Sequence, residues 1–356
     1  MAARRGCGPG HAGARPRIWA WTPAESHGRL PRKNRRKPCS VATCWGGALA
    51  LPAAARAQSW RPARPITLIV PFAAGSGTDA VARLTAGWLG QELGTQVVVE
   101  NRAGANATIA AVAVARAAPD GHTLFMTTNT SHAANPALMR RLDYDPVADF
   151  SPICRMGNLP FWLVVKADGP HRAMPALIEA ARARPDSVTY ASGNSTGIVG
   201  SATIARMTGT RMLHVPYRST PPAMADIMGG RVDWMLVDLA ASLGLVRDGK
   251  LAVLGMTTKD RSALMPQIPA LAEVGVPGFD LTSWNAIFGP ARMAPEVVAT
   301  LNGALRGIVA KAENRARLAE LGFDAFSSTP EELGAFVVAE IARWGEMVRG
   351  AGIEPE

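Results

Sequence analysis

Two stretches of the chain combine glycine, hydroxyl side chains and the onset of a helical pattern in a way that suits anion binding. The first is Phe72-Ala73-Ala74-Gly75-Ser76-Gly77-Thr78-Asp79, and the second is Ser192-Gly193-Asn194-Ser195-Thr196-Gly197. Each follows a short apolar, β-branched run and precedes residues with helical spacing. Glycines let backbone N–H groups approach a ligand, and a helix N-terminus adds partial positive charge, so a carboxylate can be held without Lys or Arg. The residues expected to contribute are Phe72, Ala74, Gly75, Ser76, Gly77, Thr78 and Asp79 on one side, and Ser192, Gly193, Asn194, Ser195, Thr196 and Gly197 on the other. No Lys follows the first glycines, which excludes a P-loop, and Ala80 leaves a G-x-G-x-x-G pattern incomplete.

Gly193 to Gly197 also fits G-x-S-x-G, which would make Ser195 the nucleophile of an exported hydrolase. The order of partners opposes this: that fold places the acid before a final histidine, whereas His214 precedes Asp238 and no histidine comes later. The other histidines past residue 57, His122, His132 and His171, are scattered without metal-ligand spacing. No metal and no cofactor is expected, and a binding protein is favoured over an enzyme. Asp238 closes an apolar strand, where a carboxylate serves either as a helix cap or as a ligand contact. Trp284 either walls a cleft or packs in the core.

Charge and cysteine usage narrow the partners. Lys and Arg total 38 against 28 Asp and Glu, but residues 1–57 hold 11 of the basic ones and one acidic one, leaving 27 of each in the remainder. The basic excess therefore belongs to the leading segment, and a nucleic-acid partner is not expected. Cys7, Cys39 and Cys44 lie in that segment and leave Cys154 alone, without a disulfide partner in the body. Arg32, Lys33, Arg35, Arg36 and Lys37 precede an uncharged apolar run from Val41 to Ala55, too short to span a bilayer, and Ala55-Arg56-Ala57 resembles a cleavage site. Residues 1–57 thus read as a signal peptide, cleaved near Ala57-Gln58, and residues 1–31 fit a start assigned too far upstream. A periplasmic body follows from that reading.

Beyond Gln58, short β-branched runs alternate with helical segments, the pattern of an α/β fold. Strands are expected at Ile66–Val70, Gln96–Glu100 and Thr123–Thr128, with helices after Asp79 and over Thr108–Ala117. A second series runs through strands Phe161–Val165, Val188–Ser192 and Arg211–Val215, with helices Met174–Arg184 and Gly197–Thr208. A helix over Pro221–Met228 and strands at Val232–Asp238 and Leu251–Thr257 continue it, and Ala286–Pro290 would return to the first sheet. Two apolar stripes near the end mark helices, the second opened by a Thr329/Glu332 capping box. Two lobes result: residues 58–160 with 282–356, and residues 161–281.

This series of segments resembles the Bug family of periplasmic solute receptors, the binding subunits of tripartite tricarboxylate transporters. The residues that carry the resemblance include Arg64-Pro65-Ile66 into Val70-Pro71-Phe72, Val98-Val99-Glu100-Asn101-Arg102 and Pro119-Asp120-Gly121-His122. Tyr144-Asp145-Pro146, Tyr190-Ala191-Ser192-Gly193, His214-Val215-Pro216-Tyr217 and Gly275-Val276-Pro277-Gly278-Phe279 continue it in order. The resemblance implies a two-lobed periplasmic-binding-protein fold of type II, with a ligand cleft between lobes joined by two crossing strands. It implies capture of a small carboxylate or related solute by the two glycine-containing loops, with the loop around Thr128 to Ser131 and the Asp238 region as side walls. It also implies membrane permease subunits as partners, and a monomer is expected. Coupling to a signalling partner instead of a permease would use the same closed surface. The chain departs from the commonest family pattern in its first loop, where many relatives have Pro-Gly-Gly.

Overall fold

The computed structural model describes residues 60–356. The signal-peptide assignment, its cleavage point and the three leading cysteines lie outside the described residues.

Two sheets organise the chain. The first contains β1 (Ile66–Val70), β2 (Val97–Asn101), β3 (Thr123–Thr127), β4 (Phe150–Leu159), β10 (Ser283–Pro290) and β11 (Asp324–Ala325), in the order β11-β4-β10-β3-β1-β2. β1 pairs in parallel with both β2 and β3, joined by crossovers through helices α1 (Gly77–Leu93) and α2 (Thr108–Ala115). The second sheet contains β5 (Phe161–Lys166), β6 (Thr189–Ser192), β7 (Leu213–Pro216), β8 (Trp234–Asp238) and β9 (Leu251–Met256), in the order β7-β6-β8-β5-β9. β6 is parallel to β7 and β8, while β5 runs antiparallel to β8 and β9.

The chain passes from the first sheet to the second across one residue, Pro160, between β4 and β5. It returns ahead of β10, whose Ser283 pairs with Leu159 at the end of β4, so the two crossings lie side by side. This is the expected α/β architecture, with two lobes joined by two crossing strands. β1 has the bounds expected from its apolar run, and β10 pairs with β3 and β4 as a returning strand should.

β4 was not expected. It contains Pro152 and Gly157, both strand breakers by local rules. Its pairing with β10 absorbs Pro152 at a shift of register next to Phe288, and Gly157 adopts φ +145° where a Cβ would meet the carbonyl oxygen of Asp324 at 2.2 Å.

In the second lobe the three parallel strands each deliver a helix at their carboxyl ends: α5 (Ser195–Met207) after β6, α6 (Thr220–Met228) after β7, and α7 (Leu239–Arg247) after β8. α3 (Asn135–Leu138) and α4 (Met174–Ala183) are the remaining helices before the tail, which holds α8 (Pro295–Ala310), α9 (Ala312–Glu320) and α10 (Pro330–Gly350). Both apolar stripes of the tail are core: Leu301, Leu305, Leu333 and Trp344 are fully buried. The Thr329/Glu332 capping box opens α10 as expected. Trp284 packs rather than walling a cleft, donating its indole N–H to Glu340 Oε2 at 2.9 Å.

Candidate functional site

The turn after β1 takes its shape from its own lobe, and one bond, from Ala73 N–H to Ser219 Oγ, reaches the other. Gly75 takes a left-handed conformation, φ +81°, and Ser76 caps α1 by accepting from the Asp79 N–H at 3.3 Å. The Asp79 carboxylate accepts from Gly75 N–H at 2.9 Å, Arg83 Nε at 3.0 Å and Asn101 Nδ2 at 2.8 Å, and Asn101 Nδ2 also donates to the Phe72 carbonyl at 3.0 Å. Burial lifts the Asp79 carboxyl, but the bonds from Arg83, Gly75 and Asn101 outweigh it and leave it below the ordinary carboxylate range. Its bonding capacity is committed to shaping the turn.

The turn after β6 is completed from the opposite lobe. Asn194 caps α5 through Gly197 N–H at 2.9 Å, so the helix begins at Ser195, two residues before the expected Gly197. Gly193 lies so close to the Ser219–Thr220 backbone that a Cβ would sit 2.5 Å from it. Across the cleft, Asn129 Nδ2 donates to Ser195 Oγ at 3.2 Å and Thr196 Oγ1 at 3.0 Å, and Ser195 Oγ donates to Thr130 Oγ1 at 2.9 Å. Ser283 Oγ donates to Asn129 Oδ1, and Ala73 N–H donates to Ser219 Oγ at 3.1 Å. Asn129, Thr130, Ser195, Thr196, Ser219 and Ser283 are all buried.

Between the turns lies a small interlobe cavity of about 10 Å³, room for about one water molecule. Ser76, Gly77 and Thr78 of α1, Asn194 and Thr196 of α5, Thr220 of α6 and Asp238 of α7 line it, with Phe72, Thr128, Leu159, Phe161 and Ser283. Four helix N-termini therefore converge on one point, and no Lys or Arg lines it. Their partial charges and free N–H groups make the cavity attractive to an anion. The chain places a carboxylate of its own there. Asp238 caps α7 by accepting from Ala241 N–H at 2.8 Å and leans on α1 so tightly that a Cβ on Gly77 would lie 1.7 Å from Asp238 Oδ1. Burial pushes the Asp238 carboxyl up to about 6.

A wider cavity of about 570 Å³ adjoins the small one, sharing Phe72 and Asn194 as lining. Ser192 and Gly193 line it with Tyr190 and His214, whose rings stack 5.0 Å apart. Facing them, Ala105, Asn106 and Ala107 hold three consecutive left-handed conformations, φ +45°, +48° and +73°, braced by Asn106 and Asn135 bonding each other.

Of the residues expected to touch a solute, Phe72, Ser76, Gly77, Thr78, Thr128, Asn194, Thr196 and Asp238 line the small cavity, and Ser192 and Gly193 line the wide one. Ala74, Gly75, Asp79, Ser131, Ser195 and Gly197 line neither. Ala74 and Gly75 are exposed, and Asp79 and Gly197 are consumed by the turns. Ser131 Oγ points into its own lobe, to Thr127 Oγ1 at 2.6 Å and His132 Nδ1 at 2.9 Å. Ser195 faces Thr130 and Asn129, whereas His214 bonds Ser192 Oγ through Nε2 at 2.6 Å, so among the described residues Ser195 Oγ bonds no histidine. Asn129 and Thr130, inside the expected Thr128 to Ser131 loop, were not singled out, and Thr220 and Ser283 were missed. The polar run from Thr127 to His132 after an apolar strand carried a signal for the first two, since strand carboxyl ends meet clefts. Ser283 carried none. Among the described residues no three His, Cys, Asp or Glu side chains are placed to hold a metal ion.

Comparison with known proteins gives this geometry its context. A family described as the tripartite tricarboxylate transporter family receptor, TctC, matches residues 81–353. Protein BugT of Bordetella pertussis is 33% identical over 294 residues, 82% of this chain and 90% of that protein. The solved structure "R. palustris Rpa4515 with adipate" is 34% identical with a TM-score of 0.81, covering 83% of this chain and 99% of that one. The periplasmic binding protein BugD is 30% identical with a TM-score of 0.79, covering 83% of this chain and 100% of that one. The fold of crossing strands and paired lobes is that of the type II periplasmic binding proteins, and the chain belongs to the TctC family of tripartite tricarboxylate transporter receptors.

Proposed function

We propose that the protein captures a small organic carboxylate in the periplasm and hands it, as a monomer, to the membrane permease subunits of a tripartite transporter. The observation that carries this reading is the convergence of four helix N-termini on an interlobe cavity lined by hydroxyls and by no cationic side chain. Parting of the lobes breaks the Asn129 bonds to Ser195 and Thr196 and withdraws Asp238 from Gly77, which opens the amides of α1 and α5 to a solute carboxylate. Charge-assisted hydrogen bonds of this type contribute about 1.5–3 kcal/mol each once desolvated, enough for a few of them to favour closure around the solute. The closed pair of lobes then presents a surface that the open form lacks, which a permease can recognise. The relative Rpa4515, crystallised with adipate, supports a carboxylate as the class of solute. Export by the leading segment and cleavage near Ala57-Gln58 belong to the same proposal.

The test is ligand-induced thermal stabilisation of the purified protein by a panel of short mono- and dicarboxylates. Thr196→Trp, far too large for a cavity that holds about one water, is expected to abolish it, and circular dichroism checks that the variant still folds. Stabilisation that persists in this variant would place the site elsewhere.

A further inference from the structure

The two adjoining cavities differ in what they offer a bound molecule. The small one supplies amide N–H groups and hydroxyls, and the only charged side chain that lines it is a carboxylate, Asp238. The wide one is largely apolar or aromatic: Leu138 and Met139 come from the first lobe, Tyr190, Ile198 and Ala202 from the second. Its charged lining consists of Arg218, Glu354 and Glu356, all exposed. His214 also lines it, held below its ordinary range by burial, although Glu356 pulls the other way, and so is neutral near pH 7. Acids thus outnumber bases around both spaces.

We propose that the solute is a monocarboxylate with a bulky apolar body, an aryl ring or alkyl chain, whose carboxylate seats on the helix ends at the small cavity once the lobes part to admit it, while its body passes Phe72 and Asn194 into the wide one. This deepens the function proposed above and rests on it. One carboxylate satisfies the converging helix ends. A second, lying in the wide cavity, would find one arginine opposed by two glutamates, and like charges placed together repel. The apolar body finds a space of about 570 Å³, within the ordinary range for small-molecule sites. The two spaces are walled in common by Phe72 and Asn194, so one solute can use both.

Calorimetric titration of the whole protein near neutral pH with propionate, hexanoate, phenylacetate and adipate decides the matter. Hexanoate is expected to bind about tenfold or more tightly than adipate, which has the same methylene chain but a second charge in place of the methyl, and phenylacetate about tenfold or more tightly than propionate, in line with burial of the ring. Ala202→Trp, at a half-buried helix position facing the wide cavity, should weaken phenylacetate about tenfold and leave propionate unchanged. Tighter binding of adipate than hexanoate, with that advantage lost in Arg218→Gln, would overturn the proposal in favour of a dicarboxylate spanning both cavities. So would phenylacetate binding that is indifferent to Ala202→Trp. If none of the four acids binds wild type, or if Thr196→Trp binds them as well as wild type does, the carboxylate-receptor function itself falls.

Discussion

The two glycine-containing turns look alike as sequence and are built in opposite ways. The turn after β1 is organised within its own lobe: Asp79 gathers Gly75, Arg83 and Asn101 around one buried carboxylate. The turn after β6 takes two of its partners, Asn129 and Thr130, from the other lobe. The first is therefore present whether the lobes meet or not, whereas the second acquires its full set of bonds only when they do. A preformed half and a conditional half are what a receptor needs if closure is to depend on the solute.

The largest effect should come from the contact where the halves meet. Gly77→Ala would drive a Cβ to 1.7 Å from Asp238 Oδ1, so the lobes cannot come together as they do here. Overpacking of this kind is expected to lower affinity for the best solute by about 10- to 100-fold, with little change in the unfolding of the lobes themselves. Titration of the variant beside wild type checks it, and unchanged affinity would show that the closed contact has no part in binding.

The two buried carboxylates should show pH dependences of opposite sign. Asp79 has a depressed carboxyl pKa, so its contribution is present above about pH 3.8, its unfolded value, and is lost as pH falls through the lower folded value. Asp79→Asn should cost about 2 kcal/mol near pH 7 and remove that acid-side loss. Asp238 is raised to about 6, so the stability from its protonated form is complete below about pH 3.8 and lost as pH rises through about 6. Asp238→Asn keeps the helix cap, since Asn caps as well as Asp, and should gain about 2 kcal/mol near pH 7.5 while gaining almost nothing below pH 4. Urea unfolding across about pH 2 to 8 reads both. Variants that both destabilise in parallel at every pH would remove the distinction between the halves.

The smallest effect belongs to the conditional half. Asn129→Ala deletes the cross-lobe donor to Ser195 and Thr196 and strands the Ser283 hydroxyl, a loss of about 1 kcal/mol of closure. Affinity should fall about fivefold while the urea midpoint without solute barely moves. A drop in the midpoint equal to the drop in affinity would mean that Asn129 supports the fold of its own lobe instead.

Local chemistry was legible wherever partners lie close in sequence. The bounds of β1, the capping box of Thr329 and Glu332, and the strand-turn-helix units around Gly75 and Gly193 all follow from neighbours within a few positions. β4 was hidden because Pro152 and Gly157 break a strand by local rules, and only its pairing partners make room for them. The start of α5 was placed late because Asn194, not a later residue, supplies the cap. Asp79 looked like a ligand contact because nothing in its own segment shows that Asn101, from the next strand, holds its carboxylate. Ser131 and Thr130 are adjacent, and the backbone sends one into the core and the other across the cleft.

What the amino-acid sequence determined by itself was the existence of helix N-termini rich in glycine and hydroxyls, because caps and tight turns are settled over three or four residues. What only the tertiary structure decided was that four of them face one another, with Asp238 at their centre. That convergence depends on strand order: β6, β7 and β8 run parallel and turn their carboxyl ends, with the helices that follow, toward the end of β1, through pairings that join residues far apart in the chain.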